Sequence, residues 1–271
     1  MRITESVNSP DTSAGTINTF LVGSKSSAFS ISDLELPLPP ILATIGLWLL
    51  IILPAWYVFN LVTRHVGNTE TPLPYVANHA VMLMTAVALI AWFSRGDVAE
   101  YGLQWPRHNR YLLAALLWGA AFGVLGTVVD SFPEILRHLP PSDDLALTPG
   151  SIGAWLSFEW IFAGPIEEIV FRGLLQTFLM QRTSGRIRLW NYEMHVAGVV
   201  LALLFALAHL TDFWTEGFWI ALSRQIFIFA HGIFYAYWRE KSRSLLAPSI
   251  GHDLSNGVNY ALAFLMKWAW S

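Results

Sequence analysis

Two adjacent glutamates lie inside an apolar run of this 271-residue chain, and their type and spacing suggest acid–base chemistry. Glu167 and Glu168 are followed by Arg172, which lies four residues after Glu168. Residues i and i+4 share one face of a helix, so Glu168 and Arg172 can form an ion pair. Glu167 is then an unpaired carboxylate that could take a proton from water. The alternative is a buried ion pair with a spare glutamate that faces water.

Two other apolar runs carry polar residues that could complete such a site. Phe205 precedes His209 by one helical turn, and His252 precedes Asn256 by the same spacing. Each pair alone has a structural explanation, because histidines pack at helix ends and asparagines hydrogen-bond between membrane helices. Ionisable groups inside a membrane cost free energy unless they are paired. Their presence on three separate runs therefore suggests one shared site around a water molecule.

The composition around these residues is that of a membrane protein. Hydrophobic residues make up 54% of the chain and charged residues 13%, about half the charged share of a typical soluble domain. Cysteine is absent, which excludes disulfides, thiolate nucleophiles and cysteine-ligated metals. The net charge of −3 provides no basic field, so we expect no nucleic-acid partner. A very apolar soluble helical protein is the alternative.

Seven continuous apolar runs are expected to be membrane spans, since about 20 residues cross the hydrocarbon core. Continuous rather than alternating hydrophobicity excludes a β-barrel. The runs cover residues 41–62, 75–93, 111–129, 152–180, 196–213, 218–238 and 245–268. The expected fold class is an all-α, polytopic transmembrane bundle of about seven spans. Gly164-Pro165 should break or kink the fourth run, which could also be re-entrant.

The expected domain organisation is simple. Residues 1–40 should form a polar, flexible N-terminal tail, and residues 41–271 a single membrane domain with its catalytic part at about 150–260. Lysine and arginine concentrate in the loops 94–110, 181–195 and 239–244, whereas the loops 130–151 and 211–217 are acidic. Basic loops usually face the cytoplasm. We therefore expect an integral, multi-pass protein with its N-terminus in the cytoplasm. The expected location is a bacterial inner membrane.

Together the three motifs resemble the CPBP family, the CAAX-protease and bacteriocin-processing family of intramembrane proteases, also called Abi. The motifs are Glu-Glu-x-x-x-Arg at Glu167, Glu168 and Arg172, Phe-x-x-x-His at Phe205 and His209, and His-x-x-x-Asn at His252 and Asn256. The chain departs from the pattern at Ala236, where many members have glycine, and His231 matches no family ligand. The resemblance implies an endopeptidase that cleaves a peptide bond near a membrane-associated C-terminal tail or leader segment.

The resemblance also implies roles for the matched residues. Glu167 would be the general base that activates water, and Glu168, through its arginine partner, would hold the helix. His209 would bind or orient the water, while His252 and Asn256 would stabilise the oxyanion. The implied partners are a peptide or protein substrate with a membrane-associated tail and the lipid bilayer itself.

Metal dependence and two other functions stay open at the level of sequence. Glu167, His209 and His252 could bind zinc with water as the fourth ligand. A cofactor-free mechanism is favoured, because the set already supplies a base and an oxyanion site. A catalytically silent scaffold or immunity protein would lack a catalytic position, and none is missing. A proton-coupled transporter would use the same ionisable residues, but no repeated pair of broken helices is evident.

Two packing predictions concern residues outside the motifs. Ala115, Gly119 and Gly123 recur every four residues, so the third run should approach a neighbouring helix closely along this face. Glu159 and Arg224 are expected to be structural partners, since an arginine inside a span needs a carboxylate or carbonyl groups. The first three runs are expected to act as scaffold or access control.

Overall fold

A computed structural model describes residues 29–66, 71–141 and 145–271 of the chain. Helices dominate this described part. The longer elements are α1 (Leu38–Val66), α2 (Leu73–Ser94), α3 (Arg110–Asp130), α8 (Val196–Leu207), α10 (Phe218–Ser242) and α11 (Leu246–Trp270). The shorter ones are α4 (Phe132–Arg137), α5 (Pro149–Ser157), α6 (Ala163–Glu168), α7 (Gln176–Met180) and α9 (Asp212–Thr215), with a 3₁₀ turn at Val98–Tyr101.

Five helical segments of the described residues are long and apolar enough to cross a membrane. They are α1, α2, α3, the segment Val196–Thr215 and α10. The remaining two expected spans, 152–180 and 245–268, are also helical, within 149–180 and α11, but they carry most of the ionisable residues of the motifs. The protein is therefore an integral, multi-pass helical membrane protein, as the composition indicates.

The helical stretch 149–180 holds the paired glutamates and has an unusual backbone. The interruption expected at Gly164-Pro165 takes the form of two wide π-helical turns, at Phe158–Phe162 and Ile169–Leu175, on either side of α6. Proline lacks the N–H that closes a regular helical turn, and a π-turn rearranges the hydrogen bonds around it. The chain thus remains helical from α5 through α7, and no free helix N-terminus is created at Pro165.

Helices α3 and α11 approach each other closely along the expected glycine face. A methyl group on Gly119 would lie 2.6 Å from the carbonyl oxygen of Gly251, and one on Gly123 would lie 2.8 Å from that of Ser255. Ala115, on the same face, is fully buried. The predicted close packing of the third run is confirmed, with the site-bearing last helix as its neighbour.

A small antiparallel sheet adds to the expected all-α architecture. Strand β1 (Phe29–Glu35) pairs with β2 (Ser184–Leu189), which pairs with β3 (Tyr192–His195). The expected flexible tail over 1–40 is corrected for residues 29–35, because the hairpin offers β1 an edge for hydrogen bonding. Residues 1–28 of that tail lie outside the described residues. Hydrogen bonds from Arg188 and Arg186 lower the pKa of Glu193 on β3 to about 2.

The three basic loops lie at one end of the bundle, as the charge alternation requires. They jointly line a cavity of about 710 Å³, to which Arg107, Arg186 and Arg239 each contribute. Arg239 is buried there and donates hydrogen bonds to the carbonyl oxygen of Glu100 and the hydroxyl of Thr177. The side of the membrane on which this end lies stays a prediction.

The predicted partnership of Glu159 with Arg224 is wrong. Arg224 pairs instead with Asp130 at 2.7 Å and with Glu216 at 3.1 Å. Because α10 packs beside α3, the C-terminal end of α3 brings Asp130 to the arginine. Glu159 lies in the first π-turn, which packs against α11, and there it accepts a hydrogen bond from the Asn256 amide.

Candidate active site

Glu168 and Arg172 form the ion pair that their spacing predicts. Arg172 Nη1 donates to Glu168 Oε1 at 3.0 Å, and neither side chain is accessible to solvent. The other guanidinium nitrogen, Nη2, donates to the carbonyl oxygen of Gly232 on α10 at 3.2 Å. The guanidinium also lies 4.5 Å from the ring centre of Phe205 on α8, a favourable cation–π geometry. Arg172 thereby ties α10 and α8 to the helix that carries the glutamates.

His252 joins the last helix to the same carboxylate. Its Nδ1 donates to Glu168 Oε1 at 2.9 Å, so this oxygen accepts from both His252 and Arg172. Its Nε2 faces the neighbouring carboxylate, 3.8 Å from Glu167 Oε2. Both donors bond to this one oxygen, and the buried Oε2 of Glu168 has no hydrogen-bond partner among the described residues. Glu168 therefore has a structural role. Its hydrogen bond with His252 orients the imidazole ring so that Nε2 faces Glu167.

Glu167 is the more accessible member of the pair. Its side chain is 17% exposed, whereas that of Glu168 is fully buried. Glu167 Oε1 lies 3.1 Å from Nε2 of His79, a residue of α2. The motifs place no residue of the first three runs in the site, so His79 is an addition to the expected set. The available signal is that His79 is the only charged residue or histidine in those three runs, near the start of the second, and such a group in a membrane span needs a partner.

Asn256 and Asp253 attach the last helix to the region around Glu167. The Asn256 amide donates to Glu159 Oε2 at 3.0 Å, and Glu159 is only 6% exposed. One amide hydrogen of Asn256 is used in this bond, which leaves the second for another acceptor. Asp253 Oδ1 accepts from the backbone N–H of Gly164 at 3.2 Å. Glu159 is thus a second neighbour of the site that lies outside the three motifs.

His209 lies in the turn that follows α8. Its Nδ1 donates to the carbonyl oxygen of Phe205 at 3.0 Å, which leaves Nε2 as the nitrogen available to the site. The Phe205 ring meets the His209 ring at 5.2 Å and the His252 ring at 5.8 Å, both edge-on. No hydrogen bond joins His209 to Glu167 within the described part of the chain. Phe205 is thus the packing link between the three motifs.

The candidate zinc ligands do not form a metal-binding set as they stand. Within the described ranges, no group of three or more His, Asp or Glu side chains is placed to hold a metal ion. We therefore derive no step of the reaction through a metal.

These features define a class: a helical membrane protein whose spans enclose a buried carboxylate–imidazole site. The particular family follows from a comparison with known families. Residues 149–258 match the family model described as Rce1-like, type II CAAX prenyl endopeptidase Rce1-like. This segment of the chain therefore matches the CAAX-protease family that the three motifs indicate, and the match supports an intramembrane protease. No curated protein and no solved structure matches the chain.

The matched segment contains all six residues expected at the site. These are Glu167, Glu168, Arg172, His209, His252 and Asn256. It also contains Glu159, but it does not reach His79 on α2. The contact between His79 and Glu167 is therefore a feature that the family match itself does not cover.

Proposed function

We propose that the protein is an endopeptidase in which Glu167 activates water within the membrane. The observation that carries this proposal is the difference between the paired carboxylates. Glu168 is fully buried and accepts from Arg172 and His252, whereas Glu167 is partly open and lies between two imidazole nitrogens. Oε2 of each glutamate lacks a hydrogen bond within the described site, but only the Glu167 side chain is partly exposed, so its Oε2 can accept a proton from water.

The proposed reaction is the addition of water to the substrate amide. Glu167 takes one proton from water, the oxygen bonds to the carbonyl carbon, and the carbonyl oxygen becomes an oxyanion. The proton held by Glu167 then passes to the amide nitrogen as the C–N bond breaks, giving a carboxylic acid, which keeps the second proton of the water, and an amine. His209 would orient the water through Nε2, the nitrogen not bonded to Phe205.

His252 and Asn256 are the proposed oxyanion donors. They lie four residues apart on α11 and share one face. Asn256 retains one amide hydrogen beyond the bond to Glu159. Because His252 Nδ1 already donates to Glu168, donation from Nε2 requires the imidazolium form, and two carboxylates flank this ring. Each fixed donor in a site sheltered from water is worth about 10²–10³ in rate.

The substrate we propose is a peptide or protein with a membrane-associated C-terminal tail. The description of the matching family, a CAAX prenyl endopeptidase, makes a tail bearing a lipidated cysteine the first candidate. A leader segment is the second. We also propose that the N-terminus is cytoplasmic in a bacterial inner membrane, which the clustering of the basic loops at one end supports.

The experiment compares wild-type membranes with Glu167→Gln on lipidated and unmodified tail peptides and on leader peptides. Glu35→Gln is the matched control, because Glu35 is an exposed glutamate on β1. We expect Glu167→Gln to insert and fold but to lose hydrolysis, since glutamine keeps the shape of the side chain without its basicity. Full hydrolysis by Glu167→Gln would overturn the proposal.

Two further outcomes identify the other functions. A wild type that is folded but inert on every peptide would be expected of a silent scaffold. Proton uptake that depends on Glu167, without cleavage, would be expected of a transporter.

A further inference from the structure

We infer that His79 is a positioning residue for Glu167, an inference that rests on the proposed role of Glu167 as the base. His79 belongs to α2, in the N-terminal part of the chain that precedes the matched family segment. The site would then be completed by a helix that contributes none of the motif residues. Its role would be to hold the carboxylate rather than to contact the substrate.

The ring of His79 is fixed on both of its edges. Nδ1 lies 2.9 Å from the carbonyl oxygen of Tyr75 one turn earlier in α2, and Nε2 lies 3.1 Å from Glu167 Oε1. Phe158 meets the ring edge-on at 5.0 Å, with an interplanar angle of 88°. Only 7% of His79 is exposed. The imidazole therefore presents one nitrogen to Glu167 in a single orientation.

The donors and acceptors of His79 and its two partners determine where hydrogen atoms must lie in these contacts. A backbone carbonyl can only accept, so His79 Nδ1 must carry a hydrogen to bond to Tyr75. A neutral ring would then have a lone pair on Nε2, facing a carboxylate oxygen that also accepts. One proton must therefore lie between His79 Nε2 and Glu167 Oε1. A hydrogen bond that involves a charged partner is about twice as strong as a neutral one.

The hydrogen bond between His79 and Glu167 determines which oxygen of Glu167 is free. With Oε1 held by His79, Oε2 is the oxygen that points to His252 Nε2, 3.8 Å away. The adjacent Glu168 is bonded to a different imidazole, since His252 Nδ1 donates to Glu168 Oε1 at 2.9 Å. Without His79, the partly buried Glu167 carboxylate would lack its only hydrogen bond in the described site and could rotate. A displacement of about 1 Å in a reacting group can cost about 10²-fold in rate.

Two substitutions separate the contact to Glu167 from the contact to Tyr75. Glutamine places its amide nitrogen near the position of Nε2, so His79→Gln can still donate to Glu167. Asparagine is one methylene shorter and reaches the position of Nδ1, so His79→Asn keeps only the bond to Tyr75. Thr85→Ala is the matched control on α2, because among the described residues the Thr85 hydroxyl bonds only to Val81 of its own helix.

We expect His79→Asn to lower kcat by about 10–100-fold, with KM changed less than about 2-fold, because the base is misplaced while substrate binding is intact. His79→Gln should recover most of the rate, and Thr85→Ala should match the wild type. The measurements are kcat and KM on one cleaved peptide, together with the thermal midpoint in detergent. Equal loss in His79→Asn and His79→Gln, or a rise in KM alone, would overturn the inference.

Glu167→Gln, measured in parallel, keeps this test distinct from that of the proposed function. If Glu167→Gln is inert while His79→Asn is fully active, the positioning role is wrong and the base assignment stands. If Glu167→Gln is fully active, the proposed function itself fails.

A second measurement covers the case in which His79→Asn does not fold. In the folded wild type with isotope-labelled histidine, the His79 ring nitrogen resonance, assigned by its loss in His79→Gln, should shift on Glu167→Gln and not on Glu35→Gln. An unshifted resonance would refute the contact.

Discussion

Asn256 of the last helix donates a hydrogen bond to Glu159 at 3.0 Å, and this bond crosses from α11 to the first π-turn of the helix that carries Glu167. The π-turn brings Glu159 towards α11, where a buried carboxylate needs a donor. The proposed oxyanion donor is thus oriented by a carboxylate outside its own motif. Orientation of this kind lets the second amide hydrogen point in a fixed direction.

The first prediction follows from that bond. Glu159→Ala should lower kcat by about 10–100-fold, because Asn256 loses the partner that orients it. Glu159→Gln should be milder, since its amide oxygen can still accept. Asn256→Ala, which removes the donor itself, should lower kcat by about 10²–10³-fold. Steady-state cleavage rates measure all three variants.

Asn259→Ala provides the control for this series, because Asn259 lies on α11 but bonds to Thr127 and Asp130 on α3. It should lower thermal stability without lowering kcat. A Glu159→Ala enzyme with the wild-type rate would refute the orienting role of Glu159.

The second prediction concerns the buried ion pair. Glu168→Gln should destabilise the protein by about 3–5 kcal/mol, because it leaves the fully buried Arg172 without its carboxylate. Arg172→Leu should destabilise the protein by a similar amount, because it leaves the fully buried Glu168 without its cation. The double variant should be less destabilised than the sum of the singles, since no unpaired charge is left. Thermal unfolding in detergent measures the cycle, and strictly additive losses would contradict direct coupling.

The third prediction tests the close approach of α3 and α11. Gly119→Leu should lower the thermal midpoint and the yield of folded protein, because its side chain would overlap the backbone at Gly251. Gly46→Leu on α1 is the matched control, since a side chain there would meet nothing within 4 Å. Equal behaviour of the two leucine variants would mean that α3 and α11 do not pack in this way.

The fourth prediction distinguishes a glutamic from a zinc mechanism. Purified enzyme treated with a strong chelator should keep its activity, because Glu167, His209 and His252 are not arranged as a metal-binding set. A zinc enzyme would lose activity and regain it when zinc is added back. Cleavage rates before chelation, after chelation and after zinc addition decide between them.

The fifth prediction concerns pH and the start of α8. His195 Nδ1 accepts from the backbone N–H of Ala197 at 3.1 Å, so this cap needs the neutral ring. Burial lowers the pKa of His195 below its ordinary value of 6.5. The stability that the cap contributes should be fully present above pH 6.5 and be lost as the pH falls through the lowered pKa.

Asparagine is also a good N-cap and does not titrate in this range. The thermal midpoint of His195→Asn should therefore fall less on acidification than that of the wild type. His108→Asn, at an exposed position, is the control. Identical pH profiles for His195→Asn and the wild type would argue against the cap.

The sequence by itself determined the local features of this protein. Continuous hydrophobicity indicated the helical membrane class, and the spacing of Glu168 and Arg172 fixed an ion pair within one helix. The small residues of α3 indicated a close approach, and the three motifs indicated the family. Each of these depends on residue type and on the periodicity of a single helix, which can be read without knowing how helices pack.

Only the tertiary structure decided which residues complete the site. His79 and Glu167 are 88 positions apart, and Glu159 and Asn256 are 97 positions apart. Their contacts depend on how α2 and α11 pack against the helix of the glutamates. That packing depends in turn on two π-turns, whose extra backbone rotation shifts each following side chain round the helix axis. Matching charges by residue type alone therefore predicts the wrong partner for Glu159, and helical periodicity cannot bring His79 to Glu167.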